Sequence, residues 1–337
     1  MFIIDSYPVA VLFCVVTMLC WGSWGNTQKL ASQKWPFQLF YWDYVLGVLL
    51  FSLLMAFTMG SIGENGRGFI SDIMQADSKS MTSAFLGGII FNFANILLVI
   101  AINISGLAVA FPVGIGLALV IGVFVNYIAV PSGNPLLIFA GVVLIVIAII
   151  IDALIYKRIP TDGEKNKSLG KGLLFSVLAG VSMGFFYRFV AAGLSLDYAN
   201  PEVGKMTPYT AVVIFSVGIL ASNFLWNTIN MYFPFSGSRT TYSQYFSLGT
   251  PKLHLVGILG GAIWCLGMLF NILAAEKASF AVSYGLGQGA TMVSAAWGVF
   301  VWKEFKEAKG ASTVRVMTTS MFILFILGLA LIILAKV

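Results

Sequence analysis

The chain has 337 residues, of which 59% are hydrophobic and only 9% are charged, and its mean hydropathy is +0.94. Soluble globular proteins carry about 25% charged residues, so this composition excludes a soluble protein and indicates an integral membrane protein. The formal net charge of +6 is explained by the distribution of lysine and arginine along the chain and does not indicate affinity for nucleic acid.

Apolar runs long enough to cross a bilayer as helices occupy most of the sequence, since about 20 apolar residues span the hydrocarbon core. The ten predicted membrane helices cover residues 7–28, 37–60, 82–103, 105–128, 135–156, 170–192, 208–233, 253–275, 279–302 and 315–336. The first run follows Asp5 without a basic segment before it, which predicts a retained helix and not a signal peptide. The predicted fold class is an all-α integral membrane protein without a soluble domain.

Residues 86–124 and 259–297 align without a gap at a constant offset of 173 residues, with 10 of 39 positions identical. The shared positions include the paired glycines Gly87-Gly88 and Gly260-Gly261, and the spaced glycines Gly114/Gly116 and Gly287/Gly289. A duplicated helical unit is typical of secondary transporters, which bind their substrate between the copies. We expect a first five-helix repeat over 1–156, a cytoplasmic linker over 157–169, and a second five-helix repeat over 170–337. Because five is odd, the second repeat is expected to insert upside down.

The basic residues predict the orientation in the membrane. If the N-terminus is outside, 13 of the 19 lysines and arginines fall on the cytoplasmic side: Lys29, Lys34, Lys157, Arg158, Lys165, Lys167, Lys171, Arg239, Lys252, Lys303, Lys306, Lys309 and Arg315. Only Arg67, Lys79, Lys205, Lys277 and Lys336 fall outside. The positive-inside rule therefore favours a multi-pass protein of the plasma (inner) membrane with both termini extracytoplasmic.

Three ionisable residues stand out at membrane depth, where charge is costly and usually functional: Asp43, Arg188 and Glu276, the last of which is interpreted as an interfacial partner of Lys277. Asp43 is the candidate proton-coupling residue, because a carboxylate shielded from water can exchange its proton near neutral pH. Its alternative role is that of a structural partner for Arg188 or for a tyrosine. Arg188 is expected to bind a substrate oxygen or to neutralise Asp43. His254, the single histidine, is interpreted as a plain interfacial residue at a helix start.

Neutral polar and aromatic residues within the predicted helices form the rest of the candidate binding site. One such side chain alone usually bonds neighbouring helices together, but the set suits a cavity for an uncharged polar solute. With Arg188, the candidate substrate-binding residues are Ser23, Trp24, Asn26, Asn92, Asn95, Tyr187, Asn271, Tyr284, Gln288 and Trp297. The glycines at 285, 287 and 289 lie in an apolar helix and lack the Lys-Ser/Thr of a nucleotide loop, so they indicate close packing or a softened gate.

Three motifs support a resemblance to a known family. They are Gly22-Ser23-Trp24, the run Tyr41-Trp42-Asp43-Tyr44, and Val293-Ser294-Ala295-Ala296-Trp297-Gly298 followed by Glu304. With ten helices in two inverted halves, the chain resembles the drug/metabolite transporter superfamily, and within it the branch of ureide permeases and glucose/ribose and rhamnose porters. The resemblance implies proton-coupled uptake of sugars, or of oxo-heterocycles such as allantoin or uracil. The central linker is short and lacks the nucleotide-binding-like motif of the plant permeases, so nucleotide regulation is not expected.

The leading hypothesis is a secondary active transporter that takes up a small neutral polar solute by alternating access. The alternative is a drug or metabolite exporter of the same superfamily. Multidrug exporters usually have an apolar, aromatic cavity, whereas this chain has many asparagines in its predicted helices. One histidine and scattered carboxylates disfavour an intramembrane enzyme, and the repeat disfavours a channel. No cofactor or metal is expected beyond a coupling ion, H⁺ or alternatively Na⁺. The expected partners are the solute and the lipid bilayer, without nucleic acid or an obligatory protein partner.

Overall fold

The structure, a computed structural model, describes residues 1–31, 35–158, 169–235, 237–304 and 310–336. Apart from one isolated bridge between Leu194 and Met206, this part of the chain carries only helices, turns and loops. The helices are α1 (Tyr7–Ser23), α2 (Gly25–Ala31), α3 (Phe37–Phe57), α4 (Phe69–Gln75), α5 (Ser78–Ser105), α6 (Leu107–Ala129), α7 (Pro135–Tyr156), α8 (Leu169–Ala192), α9 (Pro208–Tyr232), α10 (Tyr242–Leu248), α11 (Pro251–Ala278), α12 (Phe280–Gly287), α13 (Ala290–Ala296) and α14 (Ala311–Leu334), with a π-helical turn at Trp297–Val301.

Nine helical segments of the described part are long and apolar enough to cross a bilayer. The first joins α1 and α2, and the others are α3, α5, α6, α7, α8, α9, α11 and α14. The predicted fold class, an all-α integral membrane protein, is therefore confirmed. Residues 279–302, predicted as one more spanning helix, are instead divided into α12, α13 and the π-helical turn. The division falls at Gly287–Gly289, where glycine weakens a helix.

Helices α3 and α11 touch through their backbones. A Cβ added to Gly47 would lie 2.1 Å from the carbonyl oxygen of Ile258, and one added to Gly261 would lie 1.9 Å from that of Tyr44. Only glycine permits such an approach, which is a common way to pack helices in a membrane.

Helices α9 and α5 cross in the same manner. Here an added Cβ at Gly218 would meet the carbonyl oxygen of Phe85 at 2.2 Å, and one at Gly88 would meet that of Phe215 at 2.1 Å. Gly88 and Gly261 are separated by the repeat offset of 173, as are Phe85 and Ile258. The facing pairs on α3 and α9, Gly47 with Gly218 and Tyr44 with Phe215, are 171 residues apart, so the α5–α9 contact resembles the α11–α3 contact with the halves of the chain exchanged.

Several sequence expectations fall partly outside the described residues. Of the predicted linker 157–169, residues 159–168 are not described, and neither are Lys34, Lys165, Lys167, Lys306 and Lys309. Between α9 and α11 the structure contains the short helix α10, which Thr241 and Gln244 cap reciprocally. We call the end of the bundle that carries Lys29, Arg158 and Lys252 the basic end.

Candidate functional site

A cavity of about 250 Å³, the central cavity, lies between α1, α2, α5, α6, α8, α11 and the broken segment α12–α13. Its wall consists of Trp21, Gly22, Trp24, Gly25, Gln28, Phe91, Asn95, Leu98, Val99, Ile102, Phe111, Ile115, Met183, Phe186, Trp264, Gln288, Ala290, Thr291 and Ser294. A site between helices of both halves of the chain, beside a discontinuous helix, is where secondary transporters hold their solutes.

Flat aromatic faces make up much of this wall. The rings of Trp21 and Trp264 stack with centroids 5.8 Å apart and planes inclined by 12°, and Phe91 lies 4.4 Å from Trp264. Trp24 and Phe186 add further rings to the wall. Because aromatic rings stack on planar groups and on the apolar faces of rings, this wall suits a cyclic solute.

The polar groups of the wall are neutral amides and hydroxyls. Gln288 is only 9% exposed, and its side-chain amide makes no hydrogen bond within the described part of the chain. Asn95 donates one hydrogen bond, 3.1 Å long, to the hydroxyl of Tyr41, which leaves its other amide atom for the cavity. Thr291 and Ser294 add hydroxyls. Among the described residues, none that lines the cavity carries a charge, so the site favours an uncharged polar solute.

Corresponding positions of the sequence repeat face the cavity from opposite halves. Phe91 and Trp264 are separated by the repeat offset, and both line the wall. The same holds for Ile115 and Gln288. The first pair is therefore aromatic in both copies, whereas the second pair has an amide, that of Gln288, in the second copy alone. At this pair of positions a bound solute meets an amide from the second half and an aliphatic side chain from the first.

Asp43 lies outside the central cavity, in a cluster of its own at the basic end. Its carboxylate is 1% exposed and accepts hydrogen bonds from the indole nitrogen of Trp35 at 3.1 Å and from the hydroxyl of Tyr245 at 2.5 Å. The Nδ1 atom of His254 lies 2.8 Å from Oδ1 of the same carboxylate. The expected tyrosine partner is thus found, but the basic side chain beside the carboxylate is His254 and not Arg188.

The cluster depends on close contact between α3 and α11. A Cβ on Gly257 would lie 2.4 Å from the Cβ of Asp43, so glycine is needed to bring His254 within reach, one turn away. Tyr245, on the short helix α10, has its pKa raised by burial and by its hydrogen bond to Asp43. It therefore remains a hydrogen-bond donor at neutral pH.

Two neighbours of Asp43 on α3 connect this cluster to the central cavity. Tyr41 holds Asn95, and the ring of Tyr44 lies 4.8 Å from that of Trp24. A shift of α3 that followed a change at Asp43 would therefore move two side chains of the cavity wall.

A further group of predicted residues joins α1–α2 to the broken segment. The indole nitrogen of Trp297 donates to Oγ of Ser23 at 2.8 Å, and that of Trp302 donates to Oδ1 of Asn26 at 2.7 Å. Lys29 forms an ion pair with Glu304 nearby. Three of the predicted binding residues thus form hydrogen bonds between helices beside the cavity and do not line it: Ser23, Asn26 and Trp297.

Three other predicted residues lie between helices away from the cavity wall. The hydroxyl of Tyr187 is 3.1 Å from Oγ of Ser283, and Nδ2 of Asn271 donates to the carbonyl oxygen of Ser283 at 2.7 Å. The hydroxyl of Tyr284 lies 3.2 and 3.3 Å from backbone carbonyl oxygens of α6 and α8. All three side chains are fully buried.

Asn92 and Arg188 also lie off the cavity wall. Asn92 donates to Oγ of Ser222 at 2.9 Å and so bonds α5 to α9. Arg188 is half-buried on α8 and makes no ion pair within the described part. Of the predicted substrate-binding residues, the structure therefore brings Trp24, Asn95 and Gln288 together at the central cavity.

Sequence reasoning missed His254 as the partner of Asp43, and it missed Gln28, Thr291 and Trp264 as wall residues. The repeat offset could have found Trp264, because it corresponds to Phe91. No local pattern points to His254, since 211 residues separate it from Asp43.

Comparison with known proteins identifies the family. The profile of the Ureide permease family matches residues 40–171 and 163–335. Ureide permease 1 of Arabidopsis thaliana is 22% identical over 387 residues, covering 98% of this chain and 97% of that protein. Ureide permease 3 of the same plant is 25% identical over 275 residues, covering 73% of this chain and 79% of that protein.

A solved structure described as "Crystal structure of protein" shares the fold, with a TM-score of 0.59 at 14% identity and coverage of 96% of both chains. The family profile extends over most of the chain, including both segments of the sequence repeat. The protein is thus a multi-pass membrane transporter and not an enzyme, and it belongs to the ureide permease family.

Proposed function

We propose that this protein transports a small, neutral, cyclic solute of the ureide and oxo-heterocycle class, such as allantoin or uracil. The observation that carries the proposal is the central cavity, whose described wall combines stacked tryptophans with neutral amides, including the unpaired amide of Gln288, and lacks charged side chains. The names of the plant relatives support the same class of solute. A sugar also stacks on tryptophan, but its many hydroxyls need more hydrogen-bonding groups than this wall offers.

Alternating access between two inverted halves, residues 1–156 and 170–337, is the mechanism we infer. The matching glycine contacts of α3–α11 and α9–α5 support it, because related halves can exchange conformations. Wall residues nearer the basic end, such as Gly25 and Ser294, are exposed, whereas Phe91 and Trp264 are buried. With the basic end in the cytoplasm of a plasma (inner) membrane and both termini outside, this is an inward-facing state.

We further propose that protons drive uptake through Asp43. A buried carboxylate within hydrogen-bonding distance of Tyr245 and His254 has the chemistry needed to take up and release a proton. Protonation in the outward-facing state and release to the cytoplasm would move α3, and with it Tyr41 and Tyr44 beside the cavity. No other cofactor enters this cycle.

The test is equilibrium binding of radiolabelled solutes to the purified full-length protein. Uracil and allantoin are expected to bind and to compete with each other, whereas glucose and a lipophilic cation are not. Replacing Gln288 by leucine should weaken binding, and replacing exposed Asn200 by leucine is the control. Tight binding of the cation alone would favour the exporter hypothesis and overturn this proposal.

A further inference from the structure

A second cavity, of about 180 Å³, lies toward the basic end. Its polar wall comes from Gln38 at the start of α3, Asn103 near the end of α5, Asn230 near the end of α9 and Ser238 in the loop that follows. No charged side chain is among its described wall residues.

The amides of this second cavity lack partners. Gln38 is 8% exposed and Asn230 is 4% exposed, yet the side-chain amide of neither forms a hydrogen bond within the described part of the protein. Buried polar side chains are nearly always hydrogen-bonded, because an unmet donor or acceptor loses its contacts with water. These two amides are therefore open to a partner that occupies the cavity between them.

One face of α5 connects the two cavities. Asn95 lines the central cavity, Asn103 lines the second, and Val99 lines both. Residues four apart on a helix lie on the same face. The rise of an α-helix places Asn95 and Asn103 about 12 Å apart along its axis. Val99 thus lies between the two cavities, on the face of α5 that carries both asparagines.

The wall of the second cavity matches the same chemical class as the central one. Each primary amide offers an N–H donor beside a carbonyl acceptor, which pairs with the –CO–NH– edge of a lactam or ureide through two hydrogen bonds. Phe37 adds an aromatic ring. We propose that the second cavity is an additional subsite for the transported solute, occupied between the central cavity and the basic end; this rests on the proposed function.

The number of solute molecules bound per chain tests the subsite. Radiolabelled uracil and allantoin would be titrated onto the purified full-length protein, and saturation should give two molecules per chain. Asn230→Leu removes an amide from the second cavity, and Ser238→Trp fills the cavity from an exposed loop position without repacking a helix. Either change should lower the number of bound solute molecules per chain to one. The affinity of the central cavity should stay within about twofold of its wild-type value.

Two controls separate this proposal from the proposed function. Asn200→Leu, at an exposed position of the opposite end, should keep both molecules, and Gln288→Leu should weaken binding at the central cavity. A single bound molecule whose affinity is the same in the wild type and in Ser238→Trp would overturn the subsite and leave the proposed function standing. Absence of binding for both solutes would overturn the two proposals together.

Discussion

Gly106 and Ser279 are separated by the repeat offset of 173 and hold almost the same backbone conformation, with φ 83° and ψ 160° in the first and φ 78° and ψ 156° in the second. Each lies at the turn between two helices, α5 and α6 in one case and α11 and α12 in the other. This region of φ and ψ is essentially confined to glycine. Ser279 therefore holds a strained backbone at the entry to the broken segment beside the cavity.

Replacing Gly106 by alanine is expected to destabilise the protein by about 1–3 kcal/mol, because a Cβ is strained at this φ. Ser279→Gly should preserve or raise stability, since relief of strain offsets the loss of a weak 3.4 Å hydrogen bond that the backbone nitrogen of Val282 donates to Oγ of Ser279. Thermal unfolding of the purified variants measures both effects. Gly170→Ala is the matched control, because its added Cβ meets no atom within 4 Å. Equal losses at 106 and 170 would contradict the expectation.

The unpaired amide of Gln288 predicts a specific loss of affinity. Gln288→Ala should weaken uracil or allantoin binding about tenfold, which corresponds to about 1.4 kcal/mol, the upper range for one neutral hydrogen bond. Titration with radiolabelled solute measures the change, and Asn200→Ala should leave the affinity as it is. An unchanged affinity in Gln288→Ala would show that this amide does not contact the solute.

Asp43→Asn should abolish accumulation driven by a pH gradient in liposomes and preserve counterflow of the solute. The amide keeps one oxygen, which can still accept the hydrogen bond of Tyr245, but it loses the second oxygen, to which Trp35 donates, and it cannot take up or release a proton. Asp152→Asn is the control, since Asp152 is another buried carboxylate, 7% exposed, on α7. Undiminished accumulation in Asp43→Asn would exclude the proposed role of this residue.

The backbone contact between α3 and α11 predicts the effect of one methyl group. Gly261→Ala would place a Cβ 1.9 Å from the carbonyl oxygen of Tyr44, so the helices must separate, at a cost of about 1–3 kcal/mol. The midpoint of thermal unfolding should fall in this variant and not in Gly170→Ala. A wild-type midpoint would mean that the two helices are less closely packed than described.

Stability in acid should depend on Asp77, the N-cap of α5. Its carboxylate accepts a hydrogen bond from the backbone nitrogen of Ser80 at 2.6 Å, and this bond lowers the pKa of Asp77. A lowered pKa means that the contribution is present above the unfolded value of about 3.9 and is lost as the pH falls through the folded value. The unfolding temperature of the wild type should therefore be higher than that of Asp77→Asn at pH 7, and this difference should become smaller in acid. A difference that grows in acid would reverse the sign and refute this role.

Hydropathy predicted the membrane helices well because burial in lipid is a property of each local run of residues. The last run, predicted at 315–336, is observed as α14 at Ala311–Leu334. The break in residues 279–302 was harder, because a broken helix and a continuous one can be equally apolar. The glycines at 287 and 289 indicate close packing or a gate, but their spacing alone does not say where the backbone hydrogen bonds of the helix are interrupted.

The candidate site was only partly predictable, because its contacts join distant parts of the chain. The sequence predicts Trp24, Asn95 and Gln288 as binding residues, and they line the central cavity. It predicts the same role for Asn92 and Asn271, which instead bond helices to each other. An asparagine in a membrane helix has the same local sequence in either role. Its function depends on whether a neighbouring helix supplies a partner, and that depends on tertiary packing.

The absence of charged side chains from the described wall of the central cavity has an electrical consequence. A neutral solute that crosses through such a wall carries no net charge, so the membrane voltage acts on the coupling ion alone. Each elementary charge moved through 100 mV is worth about 2.3 kcal/mol. In a proton-coupled cycle, the membrane voltage and the pH gradient would therefore both drive uptake. The ratio of the steady current to the solute flux would then give the number of protons transported with each solute molecule.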